Sequence, residues 1–451
     1  MKKSFVLSTT QIIMLSFLFA ILAGSMLLAL PISTKSGDAV PYIDALFTAT
    51  TATCVTGLVT LPTVTTWSVF GQIVILILIQ IGGLGIITVI AGLMVAVNKK
   101  MGIKDSQLIQ DAFNLNSLSG LARFVKKVII GTFIIEGIGA ILYMTVFIPD
   151  FGVKGIWISI FNSVSAFCNA GIDIIAENSL CDYALDPVVN IVTILLIILG
   201  GIGYIVWWDV IRVLKDARRL KLKCFKRLTL HTKIVLSSTA VLIFGGAAVI
   251  LALEYNNPLT IGDHSLFDKI QVSLFQSVTT RTAGFATVPQ ENLTNASAIV
   301  CLLLMFIGGS PVGTAGGIKT ATIVVLFATA YSMITNKDEI SLFNRNLSKQ
   351  ITRKAVAVTC MSFLIMFVSS VLLAATTKAH ELYILYEAVS ATSKVLLTRN
   401  LTTILNILCK IIVIFTMYFG RIGPISLAVA FGSKKESTNI IKNPTEDISV
   451  G

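Results

Sequence analysis

One short pattern returns four times along the 451-residue chain, and its spacing leaves the fold little freedom. Each copy opens on an aromatic residue followed by a polar one, at Phe47-Thr48, Phe161-Asn162, Phe275-Gln276 and Tyr386-Glu387, and a Ser/Thr/Ala-rich stretch follows. The copies end as TCVTG at 53–57, FCNAG at 167–171, TRTAG at 280–284 and TSKVL at 392–396, so three close on glycine and the fourth on Leu396. The steps between positions 57, 171, 284 and 396 are 114, 113 and 112 residues. Self-similarity at a fixed period means that one structural unit is built repeatedly, each copy packing on the next.

The surroundings of the repeats are apolar. The chain is 55% hydrophobic and 13% charged, with a mean hydropathy of +0.86, whereas a soluble domain carries about 25% charged residues. It therefore reads as a polytopic membrane protein. The net charge of +12 does not point to nucleic acid, because Lys and Arg sit in short blocks at 99–127, 212–233, 337–354 and 434–442, each between apolar runs or after the last. Such blocks follow the positive-inside rule; taken as cytoplasmic, they place both termini inside and start every repeat on the same side. Lys2 and Lys3 precede the first apolar run, but at roughly 20 residues that run is long enough to span, and a secretory signal is shorter. The seven cysteines are dispersed and suggest neither a disulfide framework nor a metal site.

Within each repeat the order is a long apolar run, a short semi-polar run, the glycine position, and a second long apolar run. The first runs lie near 11–30, 128–148, 234–253 and 355–375, and the second near 69–97, 188–211, 296–330 and 402–430. This predicts eight spanning helices in an all-α membrane protein. The short runs, near 42–53, 157–167, 266–280 and 382–392, are too short to cross about 30 Å of hydrocarbon as helix. They predict re-entrant pore helices, which are tolerated at membrane depth only where protein or a water-filled path surrounds the chain after them. The units are 1–98, 99–212, 213–335 with a broken inner helix, and 336–433, followed by a cytoplasmic tail at 434–451. An even number of crossings per unit makes the copies parallel, as a central pore requires; inverted copies would suit an alternating-access transporter instead.

The chemistry then follows from the endings. A dehydrated cation needs several oxygens close to one axis, and backbone carbonyls supply them when the chain runs extended. Glycine permits positive φ and close backbone approach, and a helix ending at the axis aims its partly negative C-terminus at the cation. The candidate ion-contacting positions are Cys54, Val55, Thr56 and Gly57; Cys168, Asn169, Ala170 and Gly171; Arg281, Thr282, Ala283 and Gly284; and Val395 and Leu396. A second motif fixes the register: IGGLG at 81–85, LGGIG at 199–203, IGGSPVGTAGG at 307–317 and FGRIG at 419–423 follow their filter positions by 25, 29, 24 and 24 residues to the first glycine. Leu396 therefore occupies a glycine slot.

The third cluster, with five glycines and Pro311, cannot continue a helix. Gly308, Gly309, Ser310, Gly313, Thr314, Ala315, Gly316, Gly317 and Lys319 are the candidate gate residues. Arg421 joins them, because a charge at this depth costs on the order of 3 kcal/mol and should face the path or a partner, or else snorkel to the interface; the expected partners are carbonyls of the gate loop. Glu136 reads either as an ion ligand or as a buried acid between helices, and Asp209 as an interface residue beside Trp207 and Trp208. No nucleophile elbow, Walker motif or HExxH pattern is present, so an enzyme is not expected.

The TCVTGL, TRTAGF, GGSPVGTAGGIKT and FGRIGPISLAVA stretches resemble the Trk/Ktr/HKT superfamily of potassium transporters, and within it the Ktr membrane subunit, from about residue 11 to residue 433. The resemblance implies K⁺ as the transported ion, with Na⁺ dependence open and no cofactor bound by this chain. It further implies one pore per chain, a homodimer in the plasma membrane, and regulation by a cytoplasmic nucleotide-binding ring. That ring would be a separate chain, because the longest hydrophilic connections here, roughly 20 to 30 residues, are too short for a domain. The same resemblance implies that residues 308–319 obstruct the pore below the filter. In the family the fourth filter reads Ser-Ala-Phe-Gly-Thr-Val-Gly-Leu, where this chain has SATSKVLL at 390–397. Lys394 brings a cation to the filter and Leu396 a branched side chain, leaving two readings open: a K⁺ pathway of altered rate or selectivity, and a folded, weakly conducting or non-conducting subunit.

Overall fold

The computed structural model describes residues 8–96, 102, 121–215, 226–337 and 339–423; the tail at 434–451, with its basic block, and Cys224 lie outside them. Four long helices dominate. They cover Thr9–Leu28, Leu121–Phe151, Leu230–Glu254 and Lys349–Thr376, with 20, 31, 25 and 28 residues, and at 1.5 Å per residue each reaches the ~30 Å of a hydrocarbon core. These are the outer helices of the four repeats. Ser8 and Thr229 cap the first and third, each accepting from a backbone N–H of the first turn, as short polar side chains do at helix starts. The second and fourth begin inside the basic blocks, earlier than hydropathy suggests: Arg123, Lys126 and Lys127 form the first turns of one, and Arg353 and Lys354 those of the other.

The pore helices follow as expected, over Tyr42–Cys54, Lys154–Phe167, Leu266–Thr279 and Glu381–Ser393. Phe47, Phe161, Phe275 and Tyr386 are fully buried on them, so the aromatic that opens each copy is a core anchor at a shared register. Among the described residues a short hairpin pairs Ser341 with Asn346 and Leu342 with Arg345.

The inner segments depart from eight straight spans. The first breaks between helices Val69–Leu84 and Ile86–Ala96, with a bend of 92°, and the second between Pro187–Gly201 and Tyr204–Lys215, with a bend of 100°. The third is split into Asn295–Phe306 and Thr320–Ile334 by the glycine-rich loop, and the fourth, Ile407–Ile422, stops at Gly423. By length and composition four described helices span, or six if each bent pair counts as one. Hydropathy sees a continuous apolar run and not a corner; the corner is backbone geometry. Gly85, Gly203 and Gly423, the last glycine of their clusters, take φ of +84°, +89° and +85°, a region where a Cβ is penalised.

The repeats form a ring in chain order, and each joint carries its own polar tie. Trp157 donates to Gln72 Oε1 at 2.8 Å between the first and second repeats, and Leu180 N–H to Ala286 O at 3.0 Å between the second and third. Arg399 donates to Glu291 O at 2.8 Å between the third and fourth. The ring closes through Lys410 Nζ and Asp44 Oδ1, 2.6 Å apart, the fourth inner helix against the first pore helix, both side chains nearly excluded from solvent.

Removing one partner of a buried pair strands the other charge at a cost of about 3 kcal/mol or more, whereas replacing both with apolar groups is far less damaging. Lys410→Met is therefore expected to lower the thermal midpoint of the purified protein by several degrees, and Asp44→Leu added to it to recover most of the loss. Equal midpoints for the wild type and Lys410→Met would show that the bridge does not close the ring.

Candidate functional site

The C-terminal ends of the four pore helices meet at one place, and the chain leaves all four in the same conformation. Val55, Asn169, Thr282 and Lys394 have φ of +56°, +56°, +70° and +62°; two residues later Gly57, Gly171, Gly284 and Leu396 have +75°, +54°, +81° and +78°. The exit is stabilised as in a Schellman ending: Thr56 N–H reaches Thr51 O at 2.8 Å, Ala170 N–H reaches Ser165 O at 2.8 Å, and Val395 N–H reaches Ser390 O at 3.0 Å. In the third copy Gly284 N–H reaches Thr279 O at 3.3 Å, one residue later. Leu396 thus adopts the glycine backbone although it is not glycine, which costs of order 1–2 kcal/mol.

Glycine is required at the other three positions by what stands next to them. A Cβ on Gly57 would lie 2.3 Å from Ala170 O, one on Gly171 2.2 Å from Ala283 O, and one on Gly284 2.4 Å from Val395 O. Each glycine therefore abuts the carbonyl just before the glycine position of the next repeat, and the backbones form a ring. The same three positions share a second neighbour: Leu396 side-chain atoms lie 1.9, 2.5 and 1.9 Å from those Cβ positions on Gly57, Gly171 and Gly284.

The clusters on the inner segments serve the same junction. A Cβ on Gly82, Gly200 or Gly420 would meet Thr53 O, Phe167 O or Thr392 O at 2.4, 2.0 and 2.4 Å. In repeats one, two and four the first cluster glycine thus lets the inner helix touch a carbonyl four residues before the filter position. In the third, Gly308 instead faces Gly316 O, at 2.0 Å from its Cβ position.

Residues 307–319 form a loop closed at its neck by Ile318 N–H to Phe306 O and Gly308 N–H to Ile318 O, at 3.1 and 3.0 Å. Its tip lies along the break in the second inner segment: Ser310 N–H and Thr314 N–H donate to Gly201 O and Gly200 O at 2.9 and 3.1 Å, and Tyr204 N–H donates to Val312 O at 3.0 Å. It also touches the backbone and side chains of the candidate filter segments. Gly316 N–H donates to Thr282 Oγ1 at 2.8 Å, Thr314 Oγ1 to Phe167 O at 3.1 Å, and Asn169 Nδ2 to Thr314 Oγ1 at 2.9 Å. The candidate gate and filter residues are therefore in direct contact.

A cavity of about 450 Å³ opens beside the loop, and Lys319, Lys394 and Arg421 all line it. Arg421 does not hold the gate loop: it donates to Gly82 O, at the first break, and stacks over Phe17 with its guanidinium 5.3 Å from the ring centre. Gly82 O, which also accepts from Gly85 N–H at 3.1 Å, lies in the last turn of a helix, where the partly negative end attracts a cation. Lys319 donates to Ala315 O at 2.7 Å, and Arg281 to Gly308 O at 3.4 Å. Lys394 does not turn outward to solvent; it is buried, and its side chain runs along Gly316.

Other singled-out residues have structural partners. Glu136 lies between helices, accepting from Gln80 Nε2 at 3.3 Å and from Cys168 Sγ at 3.8 Å. Asp209, beside Trp207 and Trp208, accepts from Thr229 N–H and Oγ1, both at 2.9 Å, and so ties the connection to the next outer helix. Glu387, the polar half of the fourth opening pair, accepts from Thr398 at 2.7 Å and Thr402 at 2.6 Å and pins the chain leaving the fourth filter. Asp173, two residues past Gly171 in the connecting segment, was not singled out by sequence; burial raises its carboxyl to about 6 against hydrogen bonds from Ser179, Ile175 and Ala176.

Residues 7–443 match the model of the TrkH family, described as cation transport proteins. The chain is 38% identical to the Ktr system potassium uptake protein B of Bacillus subtilis, over 98% of this chain and 96% of the relative. It is 36% identical to the potassium/sodium uptake protein NtpJ of Enterococcus hirae, over 99% and 98%. The crystal structure of the potassium transporter TrkH from Vibrio parahaemolyticus superposes with a TM-score of 0.74 at 16% identity, covering 96% of this chain and 86% of that one.

The ring of glycine contacts makes its own demand on folding. Gly171→Ala and Gly200→Ala, whose new methyl groups would lie 2.2 and 2.0 Å from backbone oxygens, are expected to cut the yield of monodisperse protein severely. Gly245→Ala, with nothing within 4 Å, should leave it unchanged. Size-exclusion profiles of the three variants decide the matter, and a normal profile for Gly171→Ala would rule out the close-packed ring.

Proposed function

The chain belongs to the TrkH family of cation transport proteins, and on that premise we propose that it is the membrane subunit of a potassium uptake system in the plasma membrane. The ion passes along the axis between the four filter segments, coordinated by backbone oxygens near Gly57, Gly171, Gly284 and Leu396, and the loop at 308–319 obstructs the path beneath them. The observation that carries this reading is the fourfold recurrence of one backbone conformation, kept even at Leu396.

K⁺ is the cargo named for the relatives from Bacillus subtilis and Vibrio parahaemolyticus, and Na⁺ is named with K⁺ for the one from Enterococcus hirae; K⁺ is the substrate we assign here, with Na⁺ as a second cation. The repeats at 1–98, 99–212, 213–335 and 336–433 are the four quadrants of one pore. The basic blocks face the cytoplasm with both termini. Two such chains pair within lipid, and a nucleotide-binding ring, supplied by a separate chain, docks on the basic cytoplasmic face and acts on the gate loop.

Expressed in a bacterium lacking K⁺ uptake, the native chain or its Lys394→Thr/Leu396→Gly variant should restore growth at limiting K⁺, and failure of both would sink the reading. In whichever form transports, Gly284→Leu should abolish uptake by spoiling a second quadrant. Thr282→Val, which removes the acceptor of Gly316 N–H, should raise it severalfold by loosening the loop; a Thr282→Val protein with unaltered flux would count against the gate.

A further inference from the structure

We propose that Leu396 and Lys394 form a built-in plug of the ion path, a barrier inside the filter that is separate from the gate loop beneath it. This rests on the pore reading above and adds to it a limit on what the native filter can pass.

Gly57, Gly171 and Gly284 come from three different repeats, and in each case a Cβ would collide with Leu396: at 1.9 Å with Cδ2 and Cγ, at 2.5 Å with Cδ2, and at 1.9 Å with Cβ. A single side chain that touches three members of a four-membered ring can lie only at the centre of that ring. Leu396 is 7% exposed there, so its isobutyl group fills the axial space. It offers no oxygen to a dehydrated cation, and an apolar constriction of this kind excludes water as well. Moving the backbone cannot lift it away, because the fourth segment already follows the other three and is held by Val395 N–H to Ser390 O and by the Glu387 carboxylate.

Lys394 stands two residues before it, where the other copies have uncharged Val55, Asn169 and Thr282. It is 6% exposed and lines the cavity under the filter, with Cε 2.6 Å from a Cβ position on Gly316. The other basic residues at this depth each serve a carbonyl: Arg421 that of Gly82, Lys319 that of Ala315, Arg281 that of Gly308. The Lys394 backbone N–H donates to Ser390 O, but among the described residues its side-chain ammonium has no hydrogen-bond acceptor. When protonated, the side chain places a tethered monovalent cation in this cavity, which repels the next one at short range through a weakly polar medium. Leu396 blocks by shape and Lys394 by charge, and releasing the gate loop removes neither.

The test is ⁸⁶Rb⁺ uptake into proteoliposomes holding equal amounts of monodisperse full-length protein. Relative to the native chain, Leu396→Gly is expected to raise flux at least tenfold and Leu396→Ala, which keeps a Cβ beside Gly284, by less. Lys394→Thr should have little effect alone and a severalfold effect on top of Leu396→Gly. Adding Gly284→Leu to the double variant should return flux to background. Native flux equal to that of the double variant would overturn the plug while leaving the pore reading standing, and absence of flux from every variant would overturn both.

Discussion

The structure depends on the contact between glycine Cα atoms and carbonyl oxygens at the centre of the ring. Four chain segments can bring their carbonyls near one axis only if nothing projects between neighbours, and the 2.2 to 2.4 Å that would separate a Cβ on Gly57, Gly171 or Gly284 from the next oxygen shows that the space is used up. That contact dictates where the pore helices end. Their ends in turn dictate where the inner segments pack, because Gly82, Gly200 and Gly420 are the points at which a helix backbone can approach those same ends. Two tiers of glycine, about 25 residues apart in the chain, are thus one device seen from the axis and from behind.

Breaking helices inside a membrane frees carbonyls that lipid cannot satisfy. Here the breaks are served by basic side chains: Arg421 at Gly82, Arg281 at Gly308 and Lys319 at Ala315. Positive charge gathered at this depth is therefore partly a consequence of building the ring from broken helices, since the partly negative helix ends call for a cation. Arg421 comes from the fourth repeat and Gly82 from the first, so this pairing, like that of Lys410 and Asp44, closes the ring where the chain itself does not.

What the sequence revealed and what it hid divide along a physical line. Repeat spacing located the four positive-φ chain endings, the short helices before them and Leu396 in a glycine slot, because glycine requirements and apolar period are written locally. The corners at Gly85 and Gly203 were hidden: IGGLG and LGGIG sit in runs that are apolar throughout, and hydropathy does not distinguish a straight span from one bent by 92° or 100°. The third cluster was legible as a break because Pro311 stands in it. The partner of Arg421 was also hidden, since it depends on which repeat is the fourth one's neighbour across the ring closure, and no local pattern encodes that. The roles of Glu387 and Asp209, as anchors for Thr398, Thr402 and Thr229, needed coordinates for the same reason.

The fourth segment shows how far backbone and side chain can part company. Its φ values at Lys394 and Leu396 match those of the other copies, although neither residue favours them, and the strain of order 1–3 kcal/mol per residue persists because the surroundings over-determine the conformation. Three neighbouring segments, the bond from Val395 to Ser390 and the two threonines on Glu387 impose the loop shape whatever the sequence at 394–396. Substitution in such a place cannot relax by moving the chain, so its whole effect falls on the axis. A change that elsewhere would be absorbed as a repacked side chain becomes, in the centre of a ring, a change in the space on its axis.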